Sequence, residues 1–335
     1  MQTQREMNEG LQSTLKSSET DDWMDAHVIR PLAYQFVRLF ARLGIHPNAV
    51  SIISMVIGAL SSLFFMHGSW FYEGRSGVIC NVIAVAMLVF AGILDCVDGQ
   101  LARLTGKCTR LGRLLDGVAT IAWYIPIYLL IIYRIYRYHS IEFGWLGLEE
   151  TTVNVIIATI VVFVVVHISG YICCMSQSRT ADYYIQAHLF FLKGEKGSEL
   201  DNSESLAEAF ANTDWKGLYL DKLSQKSYIN YTRLQESVTP HFQELMRMLR
   251  EKYGSSDNIP AEFRERFHNY SLPIMRLNGL LTFNLRTAVL AICCIADVPF
   301  LYFIFESVAL TILRHHIIRR HEHACEEMCK YLSGK

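Results

Sequence analysis

The sequence predicts an all-α integral membrane protein with six transmembrane helices, an N-terminal interfacial amphipathic helix and a helical cytoplasmic insertion. Hydrophobic residues make up 51% of the 335 residues, whereas charged residues make up only 19%. The apolar residues cluster in windows close to the roughly 20 residues that a helix needs to cross a bilayer core of about 30 Å. The formal net charge of -1 provides no general attraction to nucleic acid. We therefore expect membrane lipids, and no nucleic acid, among the partners.

Six apolar windows define the expected transmembrane helices. In chain order they are 50–67, 77–94, 117–133, 152–175, 279–296 and 298–313. The first four contain no Asp, Glu, Lys or Arg, and the last two contain one charge each, Arg286 and Glu306. With their flanking residues, 45–175 hold helices one to four and 276–316 hold helices five and six.

The polar remainder of the chain divides into four segments. Residues 1–21 show no cleavable signal pattern and are expected to be disordered. Residues 22–44 carry an apolar stripe at helical spacing with arginines beside it, which is typical of a helix lying in the membrane interface. The stripe consists of Ile29, Leu32, Ala33, Phe36, Phe40 and Leu43. The stretch HPNAVS then begins the first transmembrane helix. Residues 176–275 contain helical periods and are interpreted as a cytoplasmic insertion, and residues 317–335 as a cytoplasmic tail.

Lysine and arginine residues set the expected orientation, because cytoplasmic loops carry an excess of them. The loop between the second and third windows contains Arg103, Lys107, Arg110 and Arg113. Loops on the other side are poorer in positive charge, although Arg134 and Arg137 flank one of them. We therefore expect both termini and the first of these loops to be cytoplasmic, at the inner membrane if the protein is bacterial.

Three aspartates flank this cytoplasmic loop, at the ends of two very apolar windows. One helical face carries Asp95, Asp98, Gly99 and Ala102, and the next helix carries Gly112, Asp116 and Thr120 on one face. Carboxylate oxygens at a membrane surface suit Mg²⁺ or Mn²⁺, whose shell is completed by water and phosphate. Pairing of these carboxylates with the loop arginines is the alternative. Since ionisable residues in membrane helices usually mark function, we favour a metal site at Asp95, Asp98 and Asp116.

The same residues resemble the signature of the CDP-alcohol phosphotransferase family, D-x-x-D-G-x-x-A-R-x8-G-x3-D-x3-D. The matching residues are Asp95, Asp98, Gly99, Ala102, Arg103, Gly112 and Asp116. The resemblance implies that an alcohol hydroxyl attacks a phosphorus of a CDP-linked donor and that CMP leaves. It also implies that the three aspartates hold the metal and the CDP pyrophosphate, and that the small residues admit the nucleotide. Arg103 would order the carboxylates or contact phosphate.

The fourth aspartate of the family pattern, expected to be its general base, is replaced here by Thr120. A threonine hydroxyl cannot act as a base near neutral pH. Another group, such as Asp116 or a phosphate on the acceptor, could take the proton instead. Otherwise the acceptor needs less activation, or the chain is catalytically impaired. These alternatives stay open at the level of sequence.

Two arginines are candidates for binding the acceptor alcohol. Arg179 follows the fourth window, loosely where family members that use phosphorylated acceptors have an arginine. A positive anchor at the cytoplasmic surface is an equal alternative. Arg286 either pairs with Glu306 or binds phosphate with its bidentate guanidinium. The ion pair is the leading interpretation, because both residues lie ten positions from Ala296 in a tight hairpin.

The tail sequence RRHEHACEEMCK contains a group of potential metal ligands. These are His321, His323, Cys325 and Cys329. Their spacing fits no strong zinc pattern, and a polar amphipathic helix is the simpler interpretation.

We expect an enzyme of phospholipid synthesis that transfers a phosphatidyl group from CDP-diacylglycerol to a small polar alcohol, such as inositol phosphate. The runner-up uses a soluble CDP-alcohol and a lipid acceptor. A non-catalytic relative that binds CDP-lipid is a second class, which Thr120 favours. A transporter is disfavoured, since the aspartates lie near one membrane face and transporter sites usually lie near the midplane. The sequence leaves open whether the chain forms a homodimer.

Overall fold

The computed structural model describes residues 19–20, 22–107, 110–215 and 218–334. Helices make up 86% of the structure, and the described residues contain no strand, which confirms the all-α prediction. The disorder predicted for residues 1–21 falls almost entirely outside the described residues. The side chains of Arg110, Arg113 and Asp116 also lie outside them, although the backbone there is helical.

The helices follow one another with short connections. Up to residue 193 they are α1 (Arg30–Arg42), α2 (Pro47–Phe65), α3 (Trp70–Thr105), α4 (Arg110–Arg137), α5 (Ser140–Leu146), α6 (Thr152–His167) and α7 (Met175–Lys193). Beyond it they are α8 (Ser203–Ala211), α9 (Tyr219–Glu236), α10 (Pro240–Tyr253), α11 (Ala261–Asn278), α12 (Phe283–Ile295), α13 (Phe300–Ile304) and α14 (Leu310–Ser333). Segments of π-helix cover Asp25–Ile29, Ile168–Cys174 and Phe305–Ala309.

Six helical stretches within the described residues are long and apolar enough to cross a membrane. They are Pro47–Phe65, Trp70–Thr105, Val118–Arg137, Thr152–Lys193, Ala261–Ile295 and Phe300–Ser333. The six transmembrane helices predicted from the sequence are thereby confirmed. The first of them begins at Pro47, inside the stretch HPNAVS.

The chain divides into two compact units. The first comprises Met1–Cys174 and Phe283–Ala309, and the second comprises Met175–Thr282 and Leu310–Lys335. The aspartate pattern belongs to the first unit. The segments interpreted as an insertion, 176–275, and as a tail, 317–335, belong to the second.

Helix α2 is the common neighbour of α3 and α4 in the first unit. Gly58 admits the indole of Trp123 so closely that a Cβ at Gly58 would lie 2.1 Å from the indole Cδ1. The indole Nε1 donates to the Ser54 carbonyl at 3.1 Å, and the Ser54 hydroxyl donates to the Ala91 carbonyl at 3.0 Å. Because α2 contacts both neighbours, it fixes the two helices that carry the aspartate pattern.

Helix α1 packs against α3 with a face that overlaps the predicted stripe in part. With the π-helical turn before it, α1 buries Ile29, Ala33, Tyr34 and Val37. Leu32 and Leu43, which the stripe included, are 44% and 64% exposed. Phe36 and Phe40 of the stripe are partly buried and pack against the same apolar cluster, whereas Leu32 and Leu43 point outward. Their contact with a membrane interface stays a prediction.

Arg134 is not a loop charge, contrary to the sequence analysis. It is 1% exposed and pairs with the buried Asp297, with 2.7 Å between Nη2 and Oδ1. It also donates to the Asn81 side chain at 2.8 Å and to the Cys294 carbonyl at 2.6 Å. Asp297 additionally accepts from the Ser69 and Phe71 backbone N–H groups, which lie at the start of α3. The charge on Arg134 is therefore neutralised inside the unit and is not available to the positive-inside pattern.

The Arg286–Glu306 ion pair lies in the core of the first unit. Arg286 is 2% exposed and Glu306 is fully buried, and Arg286 Nη1 lies 2.5 Å from Glu306 Oε1. The Glu306 carboxylate also accepts from Tyr128 and Tyr302 at 2.9 Å and from Ser169 at 2.5 Å. The ion pair favoured by the sequence analysis is therefore present, and three hydroxyl groups complete its hydrogen bonding.

The second unit is a packed helical body. Helix α14 contacts α10 and α11, and α11 also contacts α7. Phe191 and Phe267 stack at 3.8 Å between ring centroids. The predicted break at GSSDNIP coincides with the end of α10, where Gly254 has a φ of 73°. The tail is part of α14 and buries one face, which consists of Ile317, His321, Ala324, Cys325 and Met328.

We expect Arg286→Ala to destabilise the protein by about 3–5 kcal/mol, because it leaves the Glu306 carboxylate buried without its cation. Glu306→Ala should also destabilise, whereas the double variant should lose less stability than the two single losses added together. Thermal unfolding in detergent micelles measures all three, with the exposed Arg276→Ala as the matched control. Strictly additive losses would contradict the energetic coupling of the pair.

Candidate active site

The aspartate pattern occupies the end of α3 and the beginning of α4. Asp95 and Asp98 lie in the last three turns of α3, which ends at Gly106 with a φ of 67°. Asp116 lies in the second turn of α4, and Thr120 follows it by one turn. Both helix ends belong to the first unit, and α2 holds them in place. The predicted residues thus lie on the two helices, and at the helix ends, as expected from the sequence.

Burial differs along the pattern. Asp98 is 5% exposed, whereas Asp95, Gly99, Ala102 and Arg103 are partly buried. A Cβ at Gly99 would lie 3.4 Å from Arg103 Nη1. The guanidinium of Arg103 therefore lies against the glycine backbone, one turn back along α3 and beside the Asp98 position. A side chain at residue 99 would compete with it for this space.

The donors present fit a divalent cation of the hard class. Asp95 and Asp98 provide carboxylate oxygens, the ligands that Mg²⁺ and Mn²⁺ prefer. A carboxylate as buried as that of Asp98 costs free energy unless it is neutralised, and a cation or Arg103 can neutralise it. Convergence of Asp116 on these two groups stays a prediction, because its side chain lies outside the described residues. Gly112 is partly buried in the first turn of α4.

Thr120 lies in α4 with an exposed side chain. It occupies the place where the family pattern has its fourth aspartate. A hydroxyl there can donate or accept a hydrogen bond, but it cannot carry the negative charge of a carboxylate. Any charge-based role of that position is therefore absent from this chain.

Arg179, predicted to contact the acceptor, lines a cavity of about 170 Å³ within the second unit. Thr180, Tyr183, Tyr184, Thr239 and Arg314 are among the residues that line it with Arg179. Arg314 Nε donates to the Thr180 hydroxyl at 2.8 Å. Two guanidinium groups and several hydroxyl groups give the cavity the donors that bind an oxyanion.

Tyr231 lies beside Arg179 in the second unit. The Arg179 guanidinium lies 5.9 Å from the centre of the Tyr231 ring. Burial, together with the nearby Asp182 carboxylate, raises the pKa of Tyr231. Its phenol therefore stays protonated at neutral pH and donates to Asp182 at 3.2 Å. The ring that Arg179 contacts, that of Tyr231, is thus uncharged at neutral pH.

Several polar residues that take part in the acceptor cavity and in the Glu306 network were not predicted from the sequence. Arg314 was not singled out from the sequence, and its position directly after the sixth apolar window was the available signal. Tyr128, Tyr302 and Ser169 were counted as members of apolar windows. Hydroxyl groups inside such windows need buried partners, which was the signal for the Glu306 network.

Two comparisons with known proteins bear on the pattern. The model of the CDP-alcohol phosphatidyltransferase family matches residues 44–191. The chain is also similar to the archaetidylinositol phosphate synthase of Pyrococcus horikoshii, with 34% identity over 79 residues. This similarity covers 24% of the chain and 36% of the relative. The match to the family model contains the whole aspartate pattern, from Asp95 to Thr120, so the pattern lies in the part of the chain that is similar to this family.

Proposed function

We propose that the protein transfers a phosphatidyl group from CDP-diacylglycerol to a small polar alcohol and releases CMP. The observation that carries this proposal is the aspartate pattern, held at the ends of α3 and α4 within the matched domain. CDP-diacylglycerol is the preferred donor because the pattern lies at the ends of apolar helices, at the depth of lipid headgroups. The loop charges predict that the aspartate pattern faces the cytoplasm. The soluble product CMP would therefore leave on the cytoplasmic side.

Asp95, Asp98 and Asp116 are proposed to hold Mg²⁺ or Mn²⁺ and, through it, the pyrophosphate of the donor. The bound cation would neutralise charge on the phosphates, which is the main requirement of phosphoryl transfer. Gly99, Ala102 and Gly112 leave room for the nucleotide to approach the backbone. Arg103, which lies against Gly99, would orient Asp98 or contact a phosphate oxygen.

The acceptor hydroxyl must lose a proton as it attacks phosphorus. Thr120 cannot accept that proton. The proton is therefore transferred to the Asp116 carboxylate or to a phosphate that the acceptor itself carries. A phosphorylated acceptor provides its own base and thus removes the need for the missing aspartate. We therefore propose a polyol phosphate as the acceptor, and the name of the Pyrococcus relative agrees with an inositol phosphate.

Arg179 and Arg314 are proposed to bind the phosphate of this acceptor. Both line the same cavity, and the hydroxyl groups around them are suited to phosphate oxygens. Arg286, the other predicted acceptor contact, donates to Glu306 and lies in a network of buried hydroxyl groups. A role for Arg286 in acceptor binding stays a prediction, and its structural role accounts for its contacts.

The proposal is tested with purified protein, labelled CDP-diacylglycerol, Mg²⁺ or Mn²⁺, and a panel of alcohols that includes inositol phosphate and inositol. We expect metal-dependent release of CMP that is fastest with a phosphorylated polyol. Asp98→Asn should abolish it, whereas Asp221→Asn, an exposed aspartate of α9, should not.

A parallel reaction with a soluble CDP-alcohol and diacylglycerol tests the runner-up function. Release of CMP only in that reaction would reverse the assignment of donor and acceptor. Metal-dependent binding of CDP-diacylglycerol without CMP release from any acceptor would identify a non-catalytic relative.

Thr120→Asp should lower the activity with a phosphorylated acceptor, because the added carboxylate repels its phosphate. General-base catalysis is typically worth about 10²–10⁴-fold, so a change in either direction is measurable as the rate of CMP release. Thr120→Asn, which adds similar volume without charge, is the control. If wild-type protein releases no CMP and Thr120→Asp does, the chain is an impaired relative and the proposed adaptation is wrong.

Arg314→Ala should raise the acceptor KM by about 10- to 100-fold with little change in kcat, the size expected for lost hydrogen bonds to a charged group. Arg179→Ala should act in the same direction. Arg319→Ala, an exposed arginine of the same helix α14, is the matched control. Acceptor kinetics at saturating CDP-diacylglycerol measure this, and an unchanged KM in both variants would remove the cavity from the acceptor site.

A further inference from the structure

A histidine, a glutamate and a cysteine form a compact buried group in the second unit. This group does not include any residue of the aspartate pattern. Helix α14 turns His321, Glu322 and Cys325 inward, and they are 2%, 9% and 0% exposed. His321 Nδ1 lies 3.7 Å from Glu322 Oε1 and 3.6 Å from Cys325 Sγ. One donor atom from each residue lies within 4.8 Å of the other two.

Two of these distances are close to the edges of a tetrahedral metal site, and the third, between Oε1 and Sγ, is within 4.8 Å. With Zn–N of about 2.0–2.1 Å, Zn–O of about 2.0–2.2 Å and Zn–S of about 2.3 Å, neighbouring ligand atoms lie about 3.4–3.6 Å apart. The distances from Nδ1 to Oε1 and to Sγ are within a few tenths of an ångström of these values. This spacing suits a common ion. Nδ1 and Oε1 lie too far apart for a direct hydrogen bond, whereas Nδ1 and Sγ lie within the longer hydrogen-bond distance of sulfur.

The hydrogen bonding of the group is incomplete within the described residues. Glu322 Oε2 accepts from the His241 backbone N–H at 2.7 Å, whereas Oε1 is buried with no hydrogen-bond partner among the described residues. A buried carboxylate oxygen in this state costs free energy. The carboxylate of Glu322 and a thiolate at Cys325 would together balance the two charges of a divalent cation, so the loaded site would be neutral.

Aromatic rings enclose the group and fix the imidazole. The Tyr184 ring stacks on His321 at 4.1 Å between centroids. Phe242 and Phe267 meet the imidazole edge-on at 5.3 Å and 6.2 Å. The three rings hold the imidazole so that Nδ1 stays directed at Glu322 and Cys325. They also exclude most of the water from the group.

We propose that His321 Nδ1, Glu322 Oε1 and Cys325 Sγ bind one Zn²⁺ ion. Nitrogen, oxygen and thiolate ligands together suit Zn²⁺ and not the hard cations of the aspartate pattern. Binding releases the thiol proton of Cys325 to solvent, and a water molecule takes the fourth tetrahedral position. Because Glu322 also accepts from His241 at the start of α10, the ion stabilises the packing of α14 on α10.

The structure selects a different set of ligands from the one that the tail sequence offered. His323 is exposed, with 73% of its side chain accessible. The Cys329 thiol lies 3.8 Å from the His241 carbonyl. His323 and Cys329 therefore provide matched control positions of the same chemistry on the same helix.

The test uses the full chain in detergent micelles, stripped with a chelator and titrated with Co²⁺ as a spectroscopic probe for Zn²⁺. We expect one equivalent of Co²⁺ to produce a thiolate-to-cobalt charge-transfer band and tetrahedral d–d bands, both removed by added Zn²⁺. Cys325→Ser and His321→Gln should abolish the charge-transfer band. His323→Gln and Cys329→Ser should keep it. Co²⁺ bound at the aspartates would give no thiolate band, so the two sites are distinguished.

Glu322→Gln keeps the thiol and should weaken Zn²⁺ binding at least about tenfold in competition with a chelator. This variant and His321→Gln decide the question if Cys325→Ser does not fold, which size-exclusion chromatography and thermal unfolding report. The proposal is wrong if wild-type protein gives no thiolate band, or if Cys325→Ser retains one. Unchanged Zn²⁺ affinity in both Glu322→Gln and His321→Gln would equally overturn it.

Discussion

The Arg286–Glu306 ion pair is the interaction on which the packing of the first unit depends. Both groups lie in helices apolar enough to cross a membrane, where an unpaired charge is expensive. The pair is tolerated because the carboxylate receives hydrogen bonds from Tyr128, Tyr302 and Ser169 as well as the guanidinium. The two π-helical segments Ile168–Cys174 and Phe305–Ala309 provide Ser169 and Glu306. Short π-helical segments inside α-helices occur frequently at functional sites.

A second buried ion pair, between Arg134 and Asp297, lies at the other end of α12 and is likewise completed by additional hydrogen bonds. Asp297, which follows this helix, binds Arg134 and the backbone N–H groups at the start of α3. Its φ of 60° is unusual for a residue other than glycine, and the hydrogen bonds offset the cost of that conformation. Helix α12 is thus tied to its neighbours near both ends. Helix α3 is held at its start by Asp297, while its other end carries the aspartates.

This arrangement suits an active site that works by positioning. Phosphoryl transfer depends on aligned groups and neutralised charge, and little covalent chemistry is required of the protein. The hydrogen bond from Ser54 to Ala91 joins α2 to α3, and α2 packs closely against Trp123 of α4. These contacts provide a rigid support for Asp95 and Asp98. Thr120 changes the charge at one position of the pattern and leaves that support intact. Under the proposed function, the consequence of the substitution is chemical and concerns the proton of the acceptor.

The sequence by itself determined the helical class, the six membrane-spanning stretches and the place of Asp95, Asp98 and Arg103 on one helix. Each of these follows from local spacing and composition, which a helix reproduces directly. The pairing of Arg286 with Glu306 was also predictable, because residues equally distant from a tight turn lie at the same depth.

Only the tertiary structure decided which polar groups meet. Arg134 resembled a loop charge, yet it pairs with Asp297, 163 residues away along the chain. Arg314 joined Arg179 around one cavity, and Glu322, absent from any recognisable ligand spacing, joined His321 and Cys325. The physical reason is the same in each case. Buried polar atoms must find partners wherever the packing of helices provides them, and that packing is set by contacts between residues far apart in sequence.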